Sequence, residues 1–121
     1  MRAKSLFLAI LLTATPALAD APRCFLMSQM DGWRSPDGKS IYIRAVGHIY
    51  KLELARECSA LKSVGSQLLL NSHLGGQVCS QLDLDVKASD MPGGVVEPCF
   101  PKMLSELTPA EAAALPKNAR P

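Results

Sequence analysis

Residues 73 to 86, "HLGGQVCSQLDLDV", place His73, Cys79, Asp83 and Asp85 within fourteen positions. Imidazole, thiolate and carboxylate are zinc-ligating groups, and a zinc site needs about three or four of them converging on one point. His73 and Cys79 lie six residues apart around Gly75-Gly76, so a hairpin would bring them face to face. Asp83 and Asp85 would share a strand face, about 6.5 Å apart at the usual rise. Leu82, Leu84 and Val86 hold the alternate positions, and if they face a core the aspartates face solvent. An oxidised Cys79 has no thiolate to offer. The favoured reading is therefore a disulfide-anchored hairpin strand with His73, Asp83 and Asp85 as solvated groups, and no metal ligand is assigned.

Copper is the other candidate metal. Met27 and Met30 form a Met-x-x-Met pair, with Met91, Met103, His48 and His73 elsewhere, and thioether and imidazole suit copper. Residues three apart on a strand point to opposite faces, and methionine commonly fills gaps in cores. Nucleophilic catalysis needs an activated group with a base beside it. His48 and His73 are the only histidines, and no serine sits in a Gly-x-Ser-x-Gly elbow. Asp83 and Asp85 on one face do not flank a cleft as a hydrolytic carboxylate pair does. No catalytic residue and no cofactor is assigned. A thiol- or metal-handling protein, with copper or zinc, stands as the alternative class.

For binding, the candidates are Trp33 and Arg34, in a loop between the turn signals Asp31-Gly32 and "SPDGK". Tryptophan and arginine are common energetic anchors at interfaces. The competing role for Trp33 is to cap the open end of a small barrel.

The elements that position these residues follow from pattern. "CFLMSQM" reads as a strand, and "SIYIRAVGHIYKLELA" as a hairpin broken near Gly47-His48, with Ile41 and Ile43 alternating with Tyr42 and Arg44. "RECSALKSV" reads as one helical turn carrying Cys58. "SQLLLNSHLGGQVCSQLDLDVKAS" reads as two strands joined at Gly75-Gly76, a favoured hairpin dipeptide. "VVEPCFPKML" gives a last extended segment whose Pro98 and Pro101 call for an edge or a bulge. In "LTPAEAAALP", Thr108, Pro109 and Glu111 form a capping box with proline at the first helical position, and Pro116 stops the helix. The tail from about residue 116 is expected to fray. The fold class is mainly β: a small antiparallel barrel or two-layer β fold of about six strands with a short C-terminal helix.

The start of the chain sets the compartment. Residues 1–19 combine Arg2 and Lys4, the apolar run Leu6 to Leu12 and Ala17-Leu18-Ala19 before Asp20, the three parts of a secretory signal with cleavage between Ala19 and Asp20. The apolar run is far below the roughly 20 residues needed to span a bilayer. Cys24 follows Ala-Pro-Arg, not the small residues of lipoprotein processing. Residues 20–121 then form a single domain, periplasmic or secreted, with no membrane span after signal removal. The whole chain has 13 basic and 11 acidic residues, and the signal removes two basic ones, so the mature chain is formally neutral. No basic cluster remains to attract nucleic acid. The partner class left is an unidentified protein or envelope component.

Cys24, Cys58, Cys79 and Cys99 all fall in the mature part, with no Cys-x-x-Cys. An even number in a small exported chain points to two disulfides. Of the three pairings, Cys24–Cys99 with Cys58–Cys79 is favoured, because terminal strands often close a small β fold against each other. The chain also resembles a family of small bacterial envelope proteins classed as a domain of unknown function. The resemblance rests on Cys24-Phe25, "IYKLELARECSAL", "GQVCSQLDLDV" and "EPCFPKMLSELTPAEAAAL", covering Cys24 to about Leu115. It implies one exported domain with four spaced cysteines, and no activity.

Overall fold

The computed structural model describes residues 24–121, so the expected signal and the Ala19–Asp20 junction lie outside the described residues. The strands are β1 Phe25–Leu26, β2 Met30–Arg34, β3 Ser40–Ala45, β4 His48–Leu54, β5 Gln67–Ser72, β6 Gln77–Val78, β7 Leu84–Ser89, β8 Val96–Cys99 and β9 Pro101–Glu106. They form three antiparallel sheets, ordered β1-β6, β2-β3-β4-β9 and β5-β7-β8. One helix, α1, spans Pro109–Ala113. The mainly β class holds as a two-layer fold. Among the described residues no sheet closes into a barrel, because the strands are distributed over separate ladders.

The β3–β4 hairpin follows directly from its alternation. Ile41, Ile43, Ala45, Tyr50, Leu52 and Leu54 are all buried, and the intervening side chains face outward. The register Ala45↔His48 leaves Val46 and Gly47 as a two-residue loop. Both have positive φ, 51° and 76°, the backbone of a type I′ turn. Leu84, Val86 and Ala88 of β7 meet this face from the other layer, and Phe25 of β1 and Val78 of β6 join the same core. The rings of Phe25 and Tyr50 lie 4.6 Å apart, centre to centre.

Several expected elements take other forms. "CFLMSQM" is not one strand: a 3-10 turn at Met27–Gln29 separates β1 from β2. Met27 and Met30 therefore do not split to opposite faces; both are partly buried against the core. Asp31-Gly32 is no turn but a register irregularity inside β2, with the Asp31 carboxylate 2.9 Å from Arg44 Nε. At "SPDGK" the turn forms as expected. Asp37 Oδ1 accepts from the N–H groups of Lys39 and Ser40 at 2.9 and 3.0 Å. Partial burial of that carboxyl raises its pKa, but these N–H donors outweigh it and hold it below the usual carboxylate value.

The expected Gly75-Gly76 hairpin is corrected more deeply. β5 pairs with β7, but β6 and a 3-10 turn at Gln81–Asp83 intervene. The glycines close only a short turn, bridged at Leu74↔Gln77. Leu82 rides on the 3-10 turn and is 80% exposed, whereas Leu84 and Val86 are buried. Cys79 lies between β6 and that turn and does not begin a strand.

The disulfides are Cys24–Cys79 and Cys58–Cys99, so the expected Cys24–Cys99 and Cys58–Cys79 pairing is wrong. The reason lies in the register. Phe25↔Val78 and Leu26↔Gln77 pair β1 with β6, which makes Cys24 and Cys79 the next cross-strand position, with Cα atoms 4.1 Å apart. Cys99 sits on the inner side of β8, paired with Val86. It reaches Cys58, which precedes the expected helical turn, a 3-10 turn at Ser59–Lys62.

The helix cap reads as expected. Thr108 Oγ1 accepts from Glu111 N–H, and Glu111 Oε1 accepts from Thr108 N–H, at 3.2 and 3.0 Å. The tail does not fray, contrary to expectation. Ala119 is 1% exposed, Arg120 donates to the carbonyls of Leu115 and Ala113, and Arg44 Nη1 donates to the Pro121 carbonyl oxygen at 2.9 Å. These contacts fold the segment back over β2 and β3.

Val46 sets up a test of the hairpin. A β-branched residue at positive φ costs about 1–2 kcal/mol relative to one that tolerates that region. Val46→Asn creates the Asn-Gly dipeptide that type I′ turns favour. It is expected to raise stability by about 1 kcal/mol in urea unfolding; an unchanged midpoint would contradict the strained-turn assignment.

Candidate functional site

The residues of the opening stretch do not converge. Among the described residues no group of three His, Cys, Asp or Glu side chains has metal-holding geometry. Cys79 is bonded to Cys24. The His73 side chain is exposed, and its backbone N–H donates to the Asp83 carbonyl at 2.8 Å. Asp85 is half-exposed, 3.7 Å from Lys87 Nζ.

Asp83 is not the solvated group expected. Its Oδ2 accepts from the N–H groups of Cys79 and Ser80 at 2.8 and 2.9 Å. Ser80 Oγ in turn accepts from Leu82 N–H. The carboxylate holds the chain that leaves β6, directly beside the Cys24–Cys79 bridge. The Ser-x-x-Asp spacing, a shortened capping box, was the available sequence signal.

Trp33 and Arg34 also separate. They lie on β2, not in a loop, and strand alternation sends them to opposite faces. Trp33 pairs with Ile43, is half-buried and packs against the core. Arg34 is exposed and pairs with Tyr42 on the outer face.

That outer face carries a shallow groove of about 440 Å³. Its floor is Tyr42 of β3, Lys51 and Glu53 of β4, and Met103 and Ser105 of β9; Leu107, Glu111, Ala114 and Leu115 form the wall beside α1. The registers Arg34↔Tyr42, Tyr42↔Lys51 and Lys51↔Ser105 set four side chains in one row across all four strands. Lys51 Nζ lies 3.5 Å from Glu53 Oε1. Hydrogen bonds from Thr108, backbone first and side chain second, lower the Glu111 pKa, and the nearby Lys51 charge adds to this. Lys51 is thus flanked by two acidic side chains. Sequence reading missed this row because its members come from four strands that are distant in the chain.

Chemically, the groove offers an ammonium, a phenol, a hydroxyl and two carboxylates around apolar contacts. It has hydrogen-bonding capacity in both directions and a tyrosine surface. The imidazole of His48 lies elsewhere, with Nδ1 2.8 Å from Glu106 Oε1. These are means of recognition. In comparisons with known proteins, no family model, curated protein or solved structure matches the chain.

Two substitutions separate packing from surface chemistry. Trp33→Ala is expected to cost about 2 kcal/mol, since a half-buried aromatic loses part of the usual core penalty. Asp83→Ala leaves the N–H groups of Cys79 and Ser80 without their acceptor and is expected to cost about 1–2 kcal/mol. Both are read by urea unfolding of oxidised protein. Wild-type stability in Asp83→Ala would show that water replaces the carboxylate at no cost.

Proposed function

We propose that this chain is an exported, non-catalytic binding or envelope accessory module, working in an oxidising compartment such as the periplasm. The observation that carries the reading is the use of every cysteine in a disulfide. Cys24–Cys79 secures the β1–β6 ladder, and Cys58–Cys99 ties a surface turn to β8. Such bridges persist outside the reducing cytosol and supply stability that a core of this size lacks. The secretory pattern of residues 1–19 gives the same direction, as does the resemblance to bacterial envelope proteins of unknown function. Among the described residues no helix is long and apolar enough to cross a membrane.

The recognition face of this module is the outer side of β2-β3-β4-β9, where Arg34, Tyr42, Lys51 and Ser105 form a row. Its partner is a protein or other envelope component offering polar groups and an apolar contact.

Recovery of the chain from an envelope fraction decides the matter. The expected mature chain begins at Asp20, has no titratable thiol under native non-reducing conditions and carries no copper or zinc. Unreduced peptide maps should contain Cys24–Cys79 and Cys58–Cys99 peptides. Two reactive thiols per chain, or an equivalent of bound metal, would instead favour a thiol- or metal-handling protein and sink this reading.

A further inference from the structure

The two larger sheets have four edges, and three are guarded. β2 carries a register irregularity together with Asp31 and Arg34. β8 contains Glu97 and Pro98. β9 begins with Pro101 and Lys102, and its Leu104 N–H donates to Gln81 Oε1 at 3.3 Å. Charges, prolines and bulges are the devices that keep an edge from pairing with another chain. β5 has none of them. Its sequence "QLLLNS" is uncharged, lacks proline, and pairs with β7 without a register shift.

The free groups of that edge can be identified. His73 N–H donates to the Asp83 carbonyl, one step beyond the pair Ser72↔Leu84. Alternation in an antiparallel ladder then aims the backbone groups of Gln67, Leu69 and Asn71 at β7 and those of Leu68, Leu70 and Ser72 at the open side. Outside the ladder no backbone–backbone bond described involves Leu68, Leu70 or Ser72; at the end of the strand the Ser72 Oγ donates to the Gln77 carbonyl and accepts from the Leu74 N–H.

We infer that β5 pairs antiparallel with β5 of a second copy of this chain, across a two-fold axis through Leu69. This register joins like with like. Leu69, 44% exposed, meets itself on the outer face. Gln67 lies opposite Asn71, amide against amide, and the half-buried Leu68 lies opposite Leu70. The outward-aimed groups of Leu68 and Leu70 form the hydrogen-bonded pairs, and the absence of charge removes any self-repulsion. Val64 and Leu74, 103% and 53% exposed, stand five residues to either side of Leu69. The same axis brings the Val64 end of one copy to the Leu74 end of the other. The three-stranded sheets merge into one six-stranded sheet, and β2-β3-β4-β9 keeps its outer face free.

Sedimentation velocity of the processed, oxidised chain tests this. The expected result is a concentration-dependent dimer, with Leu69→Lys weakening it about tenfold or more by placing like charges directly opposite. Two exposed double variants fix the register: Gln67→Lys with Asn71→Lys, and Gln67→Glu with Asn71→Glu. Each alone should be monomeric, and an equimolar mixture should dimerise. Circular dichroism and unfolding midpoints like those of the original chain establish that the variants are folded. The inference is overturned by a monomer at every concentration, by a dimer that the substitutions leave intact, or by a mixture that stays monomeric. A monomer that instead gains a strand from a different protein would also overturn it.

Discussion

Between Cys99 and Pro101 the chain leaves one sheet and enters the other. β8 ends at Cys99 as an edge of β5-β7-β8, and β9 begins at Pro101 as an edge of β2-β3-β4-β9. This crossing brings the inner faces together, so that Leu104 packs with Val86 in one core. It is held by two struts on the same side of β8. Cys99 is bonded to Cys58, and Glu97 Oε1 accepts from Ala60 N–H at 2.7 Å, at the start of the 3-10 turn. The Ala55 N–H donates to the Phe100 carbonyl at 2.8 Å, and the Arg56 guanidinium lies 4.5 Å from the Phe100 ring centre. Without these ties, the layers would be joined mainly by apolar contact across a thin core.

The same economy explains where the polar side chains went. Asp37, Asp83, Glu97 and Glu111 each accept at least one backbone N–H that no ladder or helix satisfies. A fold built from short strands has many such ends, and burying them without acceptors costs about as much as a lost hydrogen bond each. Asp83, which resembles a site residue in the sequence, is thus committed to the backbone, whereas Asp85 stands half-exposed beside Lys87. On the outer face of the four-stranded sheet, Arg34, Tyr42 and Lys51 are not used in this way, which supports the recognition proposed for that face.

The legible parts of the sequence were those governed by local rules. Ile41, Ile43, Tyr50, Leu52 and Leu54 declared the β3–β4 hairpin through strict alternation, and Thr108-Pro109 with Glu111 declared the helix start. Pro98 and Pro101 correctly demanded edges. The misread parts depended on contacts far apart in the chain. Asp83 breaks the alternation from Leu82 to Val86 by capping a turn, so Leu82 points outward while its neighbours two and four positions on point in. Asp31-Gly32 looks like a turn and predicts a loop for Trp33; a sheet partner in β3 makes it a strand instead. The disulfide pairing followed from β1 lying beside β6, which neither segment announces in two residues. The groove row was hidden for the same reason, being assembled from registers across four strands.

An open pair of sheets, unlike a barrel, must deal with its edges, and the two prolines that let the chain cross between layers also guard two of them. Pro98 and Pro101 cannot donate to a ladder, so β8 and β9 are poor templates for another strand. The irregularity at Asp31 does the same for β2, reinforced by the Arg44 ion pair and the docked Pro121. β5 lies at the opposite end of the second sheet, away from both the crossing and the tail. Leu68 and Leu70 are half-buried and Leu69 is exposed, so a further strand there would complete burial that the single chain leaves unfinished, and pairing at β5 would leave the Arg34–Ser105 row open. On the proposed pairing, two copies would present two identical outer faces at a spacing fixed by one continuous sheet, so the proposed self-association and the proposed recognition are compatible.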